Sequence, residues 1–208
     1  VNVTRELTES GVRSSLLDRT FQREKCPACG EEFRIEPQFT YVDFNHGQFI
    51  GVWSSDKVSE HSKYEEKTLN TFHLAYGDKA SPVAKKLGRS LKPSTVFGWN
   101  SLNEKLIAVD EGIDDVTLEL VKLSLFNTGN GFGEERNEEL RLIGVGEDYG
   151  LVFGWFALGS EDLNSEIAVP QSILAEIEAE PDNWQELRED LTDGLFVDCR
   201  KLLFATPA

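Results

Sequence analysis

Methionine is absent from these 208 residues, and cysteine appears only three times. A chain with no methionine is expected to have begun upstream of Val1, with a segment there that this sequence does not show. Three cysteines are too few, and odd in number, for a disulfide scaffold; a reducing, cytoplasmic setting is expected instead. Long apolar runs are missing too. The longest, GLVFGWFALG, falls well short of the roughly 20 residues that cross a bilayer, so no membrane contact is expected. No basic, apolar and small-residue succession marks a secretory leader. Positive charge is scarce in the second half. Residues 1–125 hold 16 Lys and Arg against 19 Asp and Glu, whereas residues 126–208 hold 5 against 18. The net charge of −16 repels nucleic-acid phosphates, and no basic stripe large enough to overcome it stands out, so nucleic-acid binding is not expected. A protein partner is expected, and the acidic field favours a basic one, although acidity alone also keeps proteins soluble.

What is present is an ordinary globular composition, 39% hydrophobic and 28% charged, long enough for a proper core. Within it stands REKCPACGEEF, residues 23–33. Thiolates at Cys26 and Cys29 on a tight turn can converge on one tetrahedral ion, with sulfur about 2.3 Å from zinc. Pro27 and Gly30 would shape that turn. A thioredoxin-like redox pair would place the first cysteine at a helix N-terminus, but EEFRIE follows and alternates like a strand. Zinc knuckle, redox pair and two plain thiols remain the alternatives. A closed zinc site needs four ligands, and the other candidates within the chain are Cys199, His46, His61 and His73. None of these has knuckle spacing, and each has a blander reading as a small buried residue, a turn residue or a helix-surface group. A second cysteine pair upstream of Val1 is the tidier expectation.

Along the chain, residues 4–19 predict a short helix with Leu16 and Leu17 in the core. The segment around the cysteines predicts a hairpin with the thiols at its tip. A second hairpin turns at NHGQ, with Phe39, Tyr41, Phe49 and Val52 alternating about Gly47. Residues 59–76 predict a helix burying Tyr64, Leu69, Phe72 and Tyr76 on one face. Pro82 opens another helix, and STVF is a short strand. In GWNSLNEKLIAVDEG, Asn100 or Ser101 reads as a helix cap with Glu104 following and Gly112 as the stop. Asp114 or Asp115 starts the next helix. Residues 127–138 predict a Gly-rich linker or loop between a region 1–126 and an acidic segment 139–208. That last segment predicts three strands, then helices at PQSILAEIEAE, DNWQELREDL and GLFVDCRKLLF, the last burying Phe196, Cys199 and Leu203. In GLVFGWF the apolar length predicts a central strand or an edge awaiting a partner.

No catalytic grouping is legible. Asp43 could stand near the cysteine turn, but a turn carboxylate bonded to backbone amides explains it as well. Asp110, Glu111, Asp114 and Asp115 read as helix-end chemistry before a cation site. GNGFG lacks the strand and lysine of a phosphate cradle, and neither G-x-S-x-G nor HExxH occurs.

Taken together, KCPACG, the YVD of Tyr41 to Asp43, and VFGWNSLNEKLIAVDEGIDDVTLELVKLSL resemble the CpXC domain proteins, an uncharacterised bacterial and archaeal family. That family pairs two CPxC motifs, the second followed by an aromatic and Y-x-D. Gly98, Leu102, Lys105 and Ile107 track one further stretch of its pattern, and Gly112, Ile113, Asp115, Glu119 and Lys122 the next. The resemblance covers about residues 1–125 and lacks the first CPxC. It implies that Cys26 and Cys29 are the second pair of a four-cysteine zinc site, with Tyr41, Asp43 and Lys105 as residues to watch. The expected fold is α+β, a zinc-ribbon-like hairpin joined to a mixed helix and sheet core. The expected role is a zinc-binding protein-interaction or adaptor module. An acidic, immunity-like inhibitor of a basic toxin or nuclease and a metal-assisted hydrolase using Asp43 are the rivals.

Overall fold

The computed structural model describes residues 11–126, 138–146 and 150–204, with backbone alone at 203 and 204. The fold is α+β, and its contacts cluster into two compact units, residues 1–99 and 100–208. The linker expected at 127–138 lies, up to residue 137, outside the described residues, as do residues 4–10 of the first expected helix.

In the first unit a short helix α1 (Val12–Leu17) buries Leu16 and precedes a two-stranded hairpin, β1 (Arg23–Lys25) and β2 (Glu32–Arg34). A three-stranded sheet follows: β3 (Phe39–Asp43), β4 (Gln48–Trp53) and β5 (Lys92–Phe97), in that order. β3 and β4 are antiparallel, joined by the predicted turn, whose Gly47 has φ +64°. β4 and β5 are parallel, so a crossover is required. It is supplied by a 3₁₀ turn at Ser55–Glu60, then α2 (His61–Tyr76) and α3 (Pro82–Gly88). Ser81 caps α3 by accepting the Ala84 amide at 3.2 Å, and Pro82 costs nothing at the first helical position.

α2 lies on the Val42 and Phe49 face of the sheet. Phe49 meets Phe72 edge-on at 5.1 Å and Tyr76 at 6.1 Å between ring centroids. Tyr64, Phe72 and Tyr76 lie on the expected face, but Thr68 is buried there in place of Leu69, which is 36% exposed. The reason is Gly51, which lets α2 approach so closely that a Cβ there would overlap the Thr68 side chain. Thr68 in turn accepts the Trp53 indole N–H at 3.1 Å. Gly51→Ala is therefore expected to cost about 1–3 kcal/mol, with a lower urea midpoint at unchanged slope. A variant as stable as the parent would refute this close approach.

In the second unit α4 (Gly98–Asp110), which starts in the first, and α5 (Asp115–Leu125) precede an antiparallel meander. Its strands are β6 (Glu138–Gly146), β7 (Gly150–Ala157) and β8 (Leu163–Val169). β7, the GLVFGWF segment, is the central strand. α6 (Ser172–Ala179), α7 (Gln185–Thr192) and the short α8 (Arg200–Phe204) complete the unit. Leu118, Val121, Leu140, Leu151, Phe153 and Leu191 belong to one core cluster, so α5 and the 139–208 segment share a single apolar interior.

Two expectations fail here. α4 begins at Gly98, directly off β5, because Gly98 takes φ +81°. Asn100 and Ser101 are therefore inside the helix and buried rather than capping it. The last expected helix also shortens: residues 196–198 have no regular structure, and the helix starts only at Arg200. Phe196 and Cys199 are buried as predicted, whereas the Leu203 side chain lies outside the described residues. By contrast Asp114 caps α5 through the Thr117 amide at 3.0 Å, and Gly112 at φ +66° follows the end of α4.

Candidate metal centre and buried charge network

The cysteine turn closes the first hairpin. The Cys26 amide donates to the Glu31 carbonyl at 2.8 Å, extending the ladder beyond the Lys25 and Glu32 pair. The Gly30 amide returns to the Cys26 carbonyl at 2.8 Å, a turn that Gly30 makes with φ +76°. Pro27 fits because no amide at that position takes part in the turn's bonding. The amides of Cys29 and Ala28 donate to the Cys26 sulfur, and with the Cys29 side chain they hold the Cys26 thiol below the ordinary thiol range. Sulfur that accepts backbone N–H bonds is favoured as thiolate, the form that binds metal. Both cysteines are free, and Cys29 is exposed. The hairpin is fixed to its unit through Arg34, whose guanidinium lies 3.7 Å from the Trp99 ring centroid. Trp99 also donates its indole N–H to the Ile35 carbonyl at 3.0 Å.

The other proposed ligands are engaged elsewhere. His46 Nδ1 lies 2.8 Å from Asp43 Oδ2, and His61 Nδ1 lies 3.0 Å from Glu65 Oε2. His73 is an exposed residue of α2, and Cys199 belongs to the core of the second unit. Among the described residues no Cys, His, Asp or Glu joins Cys26 and Cys29 to make a three-ligand group.

Tyr41 and Asp43 lie two apart on β3 and so share a face. The Tyr41 hydroxyl donates to Asp43 Oδ2 at 3.1 Å and accepts from Arg13 Nη1 at 2.7 Å. Asp43 Oδ1 accepts the amides of Asn45 at 2.9 Å and His46 at 3.3 Å, which pins the β3–β4 turn. Burial opposes ionisation of Asp43, but the His46 and Asn45 hydrogen bonds outweigh it and hold the carboxyl below its usual range. Burial pushes Tyr41 up to about 12, against the pull of Arg13. Both oxygens of Asp43 are thus committed to a structural turn. Lys105 pairs with Asp115 and so ties α4 to the start of α5.

The second unit contains a constellation that sequence reasoning missed. Glu104 from α4, Glu119 and Lys122 from α5, Glu139 and Arg141 from β6, and Asp198 and Arg200 are all buried. Lys122 Nζ lies 2.8 Å from Glu104 Oε1 and 2.6 Å from Glu119 Oε1. Arg141 touches three carboxylates, Glu104, Glu139 and Asp198, each at 2.8 Å. Arg200 bridges Glu139 at 2.8 Å and Asp198 at 2.9 Å, and reaches Ser101 Oγ at 3.0 Å. Backbone closes the set: the Leu142 amide donates to Glu104 at 2.7 Å and the Cys199 amide to Glu119 at 2.8 Å. Asn100 spans Glu139 at 3.0 Å and the Ser160 carbonyl at 2.8 Å.

Four carboxylates face three cations, leaving one negative charge in excess. The excess shows in the titration behaviour. Burial pushes Glu119 up to about 7 although Lys122 opposes it. Asp198 and Glu139 resist the same burial, because the guanidiniums of Arg141 and Arg200 hold both below the usual carboxylate range. Burial would lower Lys122, but Glu104 and Glu119 raise it instead. The network can therefore take up one proton at Glu119. Glu119, Asp198 and Cys199 offer ligand atoms within 4.8 Å of one another. Both carboxylates are already paired with cations, however, and burial pushes the Cys199 thiol well up, so this group lacks the thiolate a soft metal needs. The sequence signals were two acid-x-Arg pairs, Glu139 with Arg141 and Asp198 with Arg200, set in apolar surroundings.

Compared with models of known families, residues 4–122 match the family described as CpXC protein. No curated protein and no solved structure matches the chain. The matched stretch includes the cysteine turn, the Tyr41–Asp43 hairpin, α4 and most of α5. Glu139, Arg141, Asp198 and Arg200 lie beyond it, so one carboxylate of the matched helices, Glu104, pairs with a residue that follows the match, Arg141. The match takes in more than half of the 208 residues, and the chain belongs to the CpXC protein family.

Proposed function

We propose that this CpXC protein is a zinc-binding interaction module in which Cys26 and Cys29 supply two thiolates to a structural, tetrahedral site. The observation that carries the reading is the turn itself. Gly30 reverses the chain at φ +76° with its amide on the Cys26 carbonyl at 2.8 Å, and hydrogen bonds from the Cys29 and Ala28 backbones favour the Cys26 thiolate. Two soft sulfur donors on an exposed hairpin tip suit zinc in kind but not in number, since a closed site takes four ligands. The two-motif family pattern implies that a second cysteine pair would complete the set. The ion would act structurally, holding a hairpin of three residues per strand that has little apolar burial of its own. The interaction role fits a site whose acid and base candidates are already engaged, Asp43 in its turn and Lys105 with Asp115.

Elemental analysis of the full-length protein tests the metal. About one zinc per chain is expected, falling to a small fraction of that in Cys26→Ser and Cys29→Ser. Zinc unchanged in both variants would refute the assignment.

A further inference from the structure

We propose that the α2–α3 end of the first unit is a docking surface for an acidic segment of a partner protein that carries a large apolar side chain. This rests on the interaction reading and deepens it: where the net charge of −16 favours a basic partner, the local charge of this patch selects an acidic segment; it does not depend on the metal.

Residues 79–92, KASPVAKKLGRSLK, contain five cations and no acid in a chain of net charge −16. Lys79, Lys86, Arg89 and Lys92 are exposed, and Lys85 is half-buried. None of the five side chains has an ion pair or hydrogen bond among the described residues. By contrast Lys25, Lys57, Lys63 and Lys105 each hold a carboxylate. The carboxylates among the described residues leave these cations without a partner.

Large apolar side chains are exposed beside them. Leu74 is 81% exposed, Val83 70% and Leu87 45%. Val83 and Leu87 lie four apart, on one side of α3. Gly88 of α3 packs so near Tyr76 that a Cβ there would crowd the ring, and Phe44 stands edge-on to that ring at 6.4 Å. At the C-terminal end of α2 an open cavity of about 670 Å³ is lined by Asn70, His73, Leu74, Gly77, Asp78 and Lys79.

The occupant follows from the chemistry. Cations without a carboxylate among the described residues call for carboxylates, and an open cavity lined in part by Leu74 calls for an inserted apolar side chain rather than a flat bilayer. A long polyanion, whether nucleic acid or membrane, would also meet the acidic remainder of the chain. Screening confines charge effects to about 8 Å at physiological salt, so a short acidic segment can engage the patch alone.

The test uses full-length protein and fluorescein-labelled synthetic peptides of alternating glutamate with one central leucine or tryptophan, followed by anisotropy. The same peptides with glutamine for glutamate are the controls. The glutamate peptides are expected to bind at least about tenfold more tightly than the glutamine ones. Lys86→Glu with Arg89→Glu is expected to lose at least about tenfold in affinity while keeping the parent's thermal midpoint, because both residues are exposed. Leu74→Ser should weaken binding as well. Each of these results overturns the proposal: no binding by the glutamate peptides; binding unchanged in the charge-reversed variant; tighter binding to anionic vesicles or RNA; or self-association that the charge reversal abolishes, which would make a second copy the occupant. Cys26→Ser with Cys29→Ser is run in parallel. Peptide binding retained as zinc is lost supports the patch; peptide binding lost together with zinc places the contact on the cysteine turn and overturns it. Zinc content of the charge-reversed variant separates failure of the patch from failure of the metal reading.

Discussion

Arg141→Met is expected to lower stability by about 3–5 kcal/mol, read from urea denaturation, against a total of about 5–15 kcal/mol for a typical domain. Arg141 is the hub of the buried network, in contact with Glu104, Glu139 and Asp198 at once. Methionine fills comparable space, so the loss comes from charge and not from a cavity. Lys122 and Arg200 are left to serve four carboxylates, and the buried excess rises from one negative charge to two. Adding Asp198→Asn to Arg141→Met returns the excess to that of the parent, and at least about 1 kcal/mol of recovery is expected from this coupling. An Arg141→Met protein as stable as the parent would show that these groups are neither buried nor ionised together. Zinc content of the same variant is expected to be unchanged, because the cysteine turn belongs to the other compact unit.

The features legible in the sequence are those set by a few neighbouring residues. Gly30 and Gly47 announce their turns, Pro82 opens α3, and Asp114 caps α5. The cysteine turn was legible for the same reason, since its geometry is made by residues 26 to 31 alone. The charge network was not. Its members come from positions as far apart as Ser101 and Arg200, and nothing local distinguishes an acid destined for burial from one on a solvated face. Glu104 is the clearest case. Two residues that cap helices, followed by a glutamate, imitate a helix start, yet Gly98 begins α4 earlier and Glu104 points into the core. The same distance effect shortens the last helix. The carboxylate of Asp198 is bound to Arg141 and Arg200 in a stretch without regular structure, whatever its local helical period suggests. Thr68 in place of Leu69 on the buried face of α2 has a third cause: only the partner strand, through Gly51, shows that the space is small.

Stability is expected to fall as pH rises from about 5 to 8, and Glu119→Gln is expected to abolish that fall. Glu119 is held up to about 7 in the folded chain by burial, against an ordinary value of 4.5. Between those values the folded state binds a proton that the unfolded state has released, so its contribution is complete below about 4.5 and disappears as pH passes 7. The amount at stake is on the order of 3 kcal/mol. Asp198 and Glu139 work in the opposite sense. Their folded values are depressed, so their contribution is present above the ordinary carboxylate range and lost as pH falls through it. The two trends together place the stability maximum near pH 5, mildly acidic. Glutamine removes the titration but turns an amide donor toward Lys122 or the Cys199 amide, both of which are donors to Glu119 in the parent. The variant should therefore lose about 1–3 kcal/mol at pH 5 while its stability stays level up to pH 8. Urea midpoints across that interval separate the two effects, because the lost hydrogen bond shifts the whole curve and the lost proton changes only its slope. If the parent is already level between pH 5 and 8, Glu119 is ionised throughout, and the excess negative charge is balanced by some means other than a proton.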